Sequence, residues 1–297
     1  MNVLYRSIGI SKQAFHQKMN RELFMKSEQG QLLLLICQIR EKHPTMGIRD
    51  MYHKLKPESI GRDAFETFCK EEGLMSKKVK NWHRTTDSSG VVRFDNLLTG
   101  QEVSGINQVW QSDITYFEVG QRFYYITFII DSFTRRIIGW NTSKRLTTEQ
   151  TTLPALKMAV KKRKKAKQSV AGLIIHSDGG GQYYAKEFLR FTGRNKIINS
   201  MCEYAWENGK AERLNGVIKN NYLRHRVINS FEELQKEVDR SVFLYNYEKP
   251  HIKLQRKTPI EFENSYICIG QQTSGLNTTP KLKPESSRMK VKTVNPI

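Results

Sequence analysis

At Asn107 the pattern of the sequence changes from helical to β-rich, and no other feature constrains the fold of this chain as tightly. NQVWQSDITYFEV is rich in β-branched and aromatic residues, which pack well on a pleated surface. Gly120-Gln121 supplies a tight turn, and RFYYITFIIDSF and RRIIGWNTS continue the pattern. These runs predict an antiparallel meander. TTEQTTLPALKMAVKKRKK then reads as a helix, GLIIHSD as a short buried strand and AKEFLRFTGR as a helix. KIINSMC reads as a strand and ENGKAERLNGVIKNNYL as a well-capped helix.

The predicted order is therefore β-β-β-α-β-α-β-α. Three meandering strands followed by parallel βα units is the RNase H-like order, an α/β core with a mixed five-stranded sheet, assigned here to residues 106–225. In that order the first and fourth strands are neighbours at the sheet centre. Asp113 lies in the first strand, Asp178 ends the fourth, and Glu212 lies on the last helix, which packs across the sheet. Phosphoryl transfer needs charge neutralisation and in-line geometry more than covalent help from the protein. Two divalent ions held by oxygen ligands meet that need. The three carboxylates are candidate ligands for two Mg²⁺ or Mn²⁺ ions.

Other carboxylates compete for these roles. The turn at residues 119–122 places Asp113 opposite Phe128, which leaves Asp131 three residues further along, about 10 Å away. Asp131 also opens the turn DSFTR, a common structural task for Asp. Glu203 and Glu207 rival Glu212, and Glu207 adjoins the helix start, where the dipole favours a carboxylate. Glu212 is better placed inside the helix, because Asn208, Asn215 and Lys219 share its face. That face suits metal plus DNA backbone, and a solvated helix face has the same composition. His176 shares a strand face with Asp178 and is read either as orienting it or as a packing histidine.

At these residues the chain resembles the integrase-like transposases of bacterial insertion sequences, specifically the second-frame product of the insertion-sequence-3 group. The matching text is WQSDITY, IIDSFTRRIIGW, HSDGGGQY and NGKAERLNGVIKNNYL, followed downstream by FEEL, LYNYEKPH and TP. Upstream, YRSIGISKQAFHQ and HPTMGIRDMYHKL fit the family's helical DNA-binding region. The resemblance covers roughly residues 4–262 and implies a DDE-type enzyme in which Asp113, Asp178 and Glu212 bind metal. It implies a DNA contact for Lys219, and Gln182 falls within the motif of the second carboxylate. It also implies assembly on paired DNA ends, and an active form fused to, or partnered by, an upstream-frame product. There are departures. Only 33 residues separate Asp178 from Glu212, slightly fewer than usual. Glu207-Asn208 replaces Asp-Asn, and Lys249 stands where an Arg is usual.

Charge supports a polyanionic partner. Among 297 residues, 49 Lys and Arg face 29 Asp and Glu, a net charge of +20. No apolar run reaches the ~18 residues of a membrane span, and the start lacks the apolar core of a signal peptide. A bacterial cytosolic, nucleoid-associated location is expected. The four cysteines are scattered and show no zinc spacing.

Residues 1–76 read as a helical DNA-binding region. LYRSIGISKQAFHQKM outlines a helix-turn-helix, with Gly9 at the turn and Ser11 as N-cap, or two packed helices without a DNA role. A second helical unit, QLLLLICQIREKHP onward, follows. Residues 77–105 read as a linker carrying Lys77, Lys78, Lys80 and Arg84. Residues 226–264 read as helical, and residues 265–297 as a basic tail disordered in isolation. The run containing Lys161, Lys162 and Arg163 suits either a solvated helix end or a DNA backbone contact. Asn208, Asn215 and Gln182 are the remaining candidate DNA contacts.

The expected activity is metal-dependent cleavage and strand transfer of an insertion sequence. The alternatives are a related nuclease on the same fold and a non-enzymatic DNA-binding regulator or inactive relic.

Overall fold

The computed structural model describes residues 9–76, 94–202 and 205–273. Residues 77–93, with the basic group expected in the linker, lie outside the described residues, as do Glu203 and most of the expected C-terminal tail. Residues through Glu263 form one compact unit, and Asn264 begins a second.

The strands are β1 Val109–Val119, β2 Arg122–Asp131, β3 Ile137–Ser143, β4 Ile174–Ser177 and β5 Ile198–Met201. They form one mixed sheet in the order β3-β2-β1-β4-β5. β1 pairs antiparallel with β2, and β2 with β3; β1 pairs parallel with β4, and β4 with β5. This is the RNase H-like arrangement expected from the order of elements. Gly120 and Gln121, at φ +54° and +64°, make the β1–β2 turn, and Asp113 pairs with Phe128 as expected.

Helices cover both faces. On one, α4 (Thr152–Lys165) and α5 (Lys186–Arg194) bury Ala155, Leu156, Ala159 and Phe188 against Trp110, Ile129, Ile138 and Ile175. On the other, α6 (Gly209–Asn221) and α7 (Phe231–Phe243) bury Leu214, Ile218, Leu234 and Val238 against Ile126, Phe128, Ile130 and Ile137. Each such Leu, Ile, Val or Phe side chain contributes roughly 1.5–3 kcal/mol on burial. α7 ends in a wider turn, Leu244–Glu248, from which Asn246 reaches β3. Its Nδ2 donates to the Ile137 carbonyl, and its Oδ1 accepts the Ile137 N–H, both at 2.9 Å. α8 spans Pro259–Thr273.

The N-terminal helices differ from expectation. Gly9 turns at φ +65° and the Ser11 hydroxyl caps the Ala14 N–H at 3.1 Å, as read from sequence. From there α1 runs unbroken over Lys12–Lys42, so the helix expected after Ser11 and the unit expected from Gln31 are one helix, while the first helix of the expected helix-turn-helix lies outside the described residues. Nothing in it breaks a helix: Gly30 costs only about 1 kcal/mol against Ala. Pro44 ends it by forcing His43 out of helical geometry, to φ −127° and ψ 74°. The segment that packs is the last part of α1 (Leu32, Ile36, Ile39) with α2 (Ile48–Leu55) and α3 (Arg62–Glu71), around Met51, Phe65 and Phe68. The end of the expected linker also packs, at the sheet edge. There the Ser200 hydroxyl accepts the Leu97 N–H at 3.0 Å and donates to the Asp95 carbonyl at 3.2 Å.

α4 approaches β3 closely at Gly139, where a Cβ would fall on the Ala155 carbonyl oxygen and the Ala159 methyl. Gly139→Ala is expected to destabilise the fold by about 1–3 kcal/mol through overpacking. Thermal unfolding checks this, and an unchanged Tm contradicts it.

Candidate active site

The strand pairing brings two carboxylates together. Gln111 pairs with His176 in the parallel β1–β4 ladder. Asp113 and Asp178 each lie two residues further on, so they share a face on neighbouring strands about 4.8 Å apart. Both are partly buried. Asp178 lies just beyond β4, and its carboxylate accepts the Gly180 N–H at 3.3 Å.

α6 brings the third. Two amides one helical repeat apart fix it to β1. Asn208 Nδ2 donates to the Ser112 carbonyl at 2.9 Å, and Asn215 Nδ2 donates to Asp113 Oδ2 at 2.8 Å. Glu212 lies between them on the same face, exposed along an open groove shared with Gly209, Arg213 and Gly216. Lys219 follows two turns later, its Nζ 5.2 Å from the centre of the Tyr116 ring, and the Asp113 charge acts on it.

Electrostatics ties the three acids into one group. Burial raises the Asp113 carboxyl to about 7, helped by the charges of Asp178 and Glu212 and opposed by the Ile114 N–H and the Asn215 amide. Burial also raises Asp178. Glu212 is raised by burial and then by Asp178. Such a group lacks positive charge. Its donors are hard oxygens, the chemistry Mg²⁺ and Mn²⁺ prefer. Asn215 Oδ1, buried beside Asp113 and without a hydrogen-bond partner among the described residues, is a further oxygen of that kind. The donor set fits a divalent cation. Among the described residues, however, no three Asp, Glu, His or Cys side chains close around a single point.

Asp131 is excluded for a reason stronger than distance. It pairs with Trp110 across the ladder and so lies on the opposite sheet face from Asp113. There it accepts the N–H groups of Asn107, Phe133 and Thr134 and meets Arg163 at 3.6 Å. Arg163 is itself buried and forks onto Glu263 at 2.6 and 3.1 Å, so the expected DNA contact is a structural ion pair instead. The same correction applies to Asn208 and Asn215. Both are buried, and their amides serve β1 rather than solvent. His176 does not orient Asp178. It is fully buried, its Nδ1 lies 3.0 Å from the Ser200 hydroxyl, and burial pushes it down to about 4, leaving it neutral. Gln182 braces the loop before α4: its side chain donates to the Leu146 carbonyl, while its backbone carbonyl accepts from the Thr148 and Thr152 hydroxyls. Lys161 is exposed. Lys162 lies over the Trp140 ring at 3.6 Å and is pushed down to about 8, chiefly by burial.

Cys202, a side chain that sequence reasoning passed over, is buried at the end of β5. Burial, then the charges of Asp178 and Glu207, pushes its thiol up to about 12. A lone cysteine with no motif around it carries no sequence signal.

Two models of the integrase core domain match this chain, one over residues 104–205 and one over 195–259. Asp113 and Asp178 fall in the first span, Glu212 and Lys219 in the second. The chain is 27% identical over 268 residues to an uncharacterized 31 kDa protein of insertion element IS600 from Shigella sonnei, covering 87% of this chain and 96% of that protein. It is 32% identical over 134 residues to transposase InsF of insertion sequence IS3A from Escherichia coli strain K12, covering 44% and 45%. Among solved structures, the magnesium-bound catalytic core domain of HTLV-2 integrase matches at 21% identity with a TM-score of 0.41, covering 53% of this chain and 95% of that one.

The raised Asp113 carboxyl gives a pH signature independent of activity. A group raised from 3.8 to about 7 binds its proton more tightly when folded, so metal-free stability falls as pH climbs through that window. Asp113→Asn is expected to raise the Tm of the metal-free protein at pH 8, with the gain shrinking towards pH 4. A gain independent of pH contradicts this assignment.

Proposed function

The chain belongs to the transposases of the insertion-sequence-3 group, which carry an integrase catalytic core, and we propose that Asp113, Asp178 and Glu212 are the metal-binding carboxylates of its DDE-type chemistry. Such an enzyme catalyses DNA transposition by phosphodiester cleavage and strand transfer. The observation that supports this reading is that Asp113 and Asp178 share one sheet face at neighbouring strands, and that the charges of Asp178 and Glu212 both act on Asp113.

A pair of Mg²⁺ or Mn²⁺ ions, when bound, supplies Lewis acidity and neutralises charge at the phosphodiester. The chain supplies the rest. Asp113 and Asp178 hold the strand side of the site, and Glu212 closes it from the helix. Asn215 fixes the rotamer of Asp113 through its 2.8 Å hydrogen bond. Lys219, cationic and half-buried on the same helix face, meets a DNA phosphate. Water is the nucleophile for cleavage, and a DNA 3′-hydroxyl is the nucleophile for joining. Neither step needs a covalent protein–DNA bond. Joining both ends of an element calls for two such sites held together, so the working unit is an oligomer on DNA, with an upstream-frame product as fusion or partner. No helix among the described residues is long and apolar enough to cross a membrane.

The test is to incubate the full chain with labelled element-end DNA, a target plasmid and Mg²⁺ or Mn²⁺. Joined products are expected. Cleavage without joining would make it a nuclease, and binding without either would make it a regulator. Asp113→Asn and Glu212→Gln should each lower joining on the order of a hundredfold or more while DNA binding persists, since metal charge stabilisation is worth several kcal/mol. Glu207→Gln should keep most of the activity. The reverse ranking of the two glutamates would overturn the assignment of Glu212.

A further inference from the structure

Beside the start of α6, three cations stand near one another with no ion pair to an acid among the described residues. The turn joining β2 to β3 is locked by Asp131, whose carboxylate accepts the N–H groups of Phe133 and Thr134 and whose carbonyl accepts that of Arg135 at 2.9 Å. The turn holds Arg135 at φ +61°, a left-handed conformation that costs a non-glycine residue roughly 1–2 kcal/mol. Lys210, in the first turn of α6, reaches across and donates to the Ser132 carbonyl at 3.2 Å. Arg213 stands one turn later on the same helix face, exposed. Arg135 and Lys210 are half-buried. Both are pushed down, chiefly by burial: Arg213 adds to this at Arg135 against the opposing Tyr245, and Arg135 adds to it at Lys210 against the more distant Asp131, which makes no ion pair with it.

The neighbouring acids are already committed. Glu263 takes Arg136 and Arg163, each at 2.6 Å, and Asp131 takes Arg163 and three backbone N–H groups. Among the described residues, no carboxylate lies within 4.0 Å of the charged nitrogens of Arg135, Lys210 or Arg213. Adjacent arginines in one turn thus have opposite fates: Arg136 is neutralised inside the protein and Arg135 is not. Half-buried like charges held together without a partner destabilise the fold unless an anion completes them. The positive end of the α6 dipole adds to the same field.

We propose that Arg135, Lys210 and Arg213 form a phosphodiester-binding cluster that grips the DNA strand next to the position attacked at the carboxylates. Arg213 follows Glu212 directly, and both line the same open groove, so a strand lying at Glu212 has its next phosphates within reach of the cluster. The assignment rests on the reading that the chain acts on DNA. It adds a second anchor to Lys219, with Lys210 before Glu212 along α6 and Arg213 directly after it.

Binding of a labelled DNA duplex by the full chain in metal-free buffer, over a series of KCl concentrations, tests the cluster without any catalytic readout. Each of Arg135→Gln, Lys210→Gln and Arg213→Gln is expected to reduce the slope of log affinity against log salt by about 0.9, the share of one phosphate. Thermal unfolding provides a second readout that a purely structural role would not give. Arg213→Gln should raise the Tm at low salt by relieving repulsion, and saturating duplex should abolish that gain. If Lys219→Gln lowers the slope but Arg213→Gln leaves it unchanged, the cluster is wrong and the DNA reading stands. If the wild-type chain fails to bind DNA, both fall.

Discussion

The attachment of α6 to β1 is the constraint on which the site depends. The strand ladder by itself aligns Asp113 with Asp178, but it leaves the third acid on a helix that could slide or turn over the sheet. Leu214 and Ile218 give that helix an apolar underside, and apolar contact is non-directional. Direction comes from Asn208 and Asn215, whose amides clasp the Ser112 carbonyl and the Asp113 carboxylate. A buried hydrogen bond contributes only about 0.5–1.5 kcal/mol net, but leaving its partner unsatisfied costs about 1–3 kcal/mol. A slip of α6 by one residue would break both bonds at once. The clasp therefore fixes the rotation of α6 over β1, and with it the position of Glu212, which lies between the two amides.

The two sheet faces use acids for opposite purposes, and charge pairing tells them apart. On the α4 face, Asp131 and Glu263 are buried but answered by arginines and backbone N–H groups. Glu263 is held below its ordinary range by Arg163 and Arg136 despite its burial. On the α6 face, Asp113, Asp178 and Glu212 are all raised, each chiefly by burial, with Asp178 adding to the rise of Asp113 and of Glu212. Paired buried ions contribute little net stability, yet removing one partner is costly, so the first group behaves as structure. The second group has no such internal partner, which is what the proposed metal ions would supply. The same reasoning separates Arg136 from Arg135.

What was legible in the sequence was what local physics determines. The Gly120-Gln121 turn set the hairpin register, with Asp113 opposite Phe128, and the element order set the sheet topology. What was not legible depended on distant partners. Arg163 sits in a run of lysines that reads as solvated, and its burial follows from Glu263, which joins it across the fold. Asn208 and Asn215 look like surface amides until Ser112 and Asp113 are placed beneath them. His176 carries no sign that its partner is Ser200 on the next strand. α1 was divided at a point where no residue stops a helix, and its true end is set by Pro44.

The far end of α6 extends this logic to the rest of the chain. Tyr222, just past its C-terminus, meets His43 Nδ1 at 3.2 Å, at the point where α1 ends. Glu248, after α7, takes Lys42 at 3.2 Å and accepts Lys54 at its carbonyl at 2.8 Å. Arg256 pairs with Asp50 of α2 at 2.9 Å. The N-terminal helices therefore dock where α6 finishes, while the carboxylates gather where it begins. With a rise of 1.5 Å per residue, the helix spans about 20 Å. A helix of this length is stiff, so a partner bound to the N-terminal helices is held at a set distance from Glu212. The packing at one end of α6 thereby sets the position of the acids at the other, without any motion of the sheet.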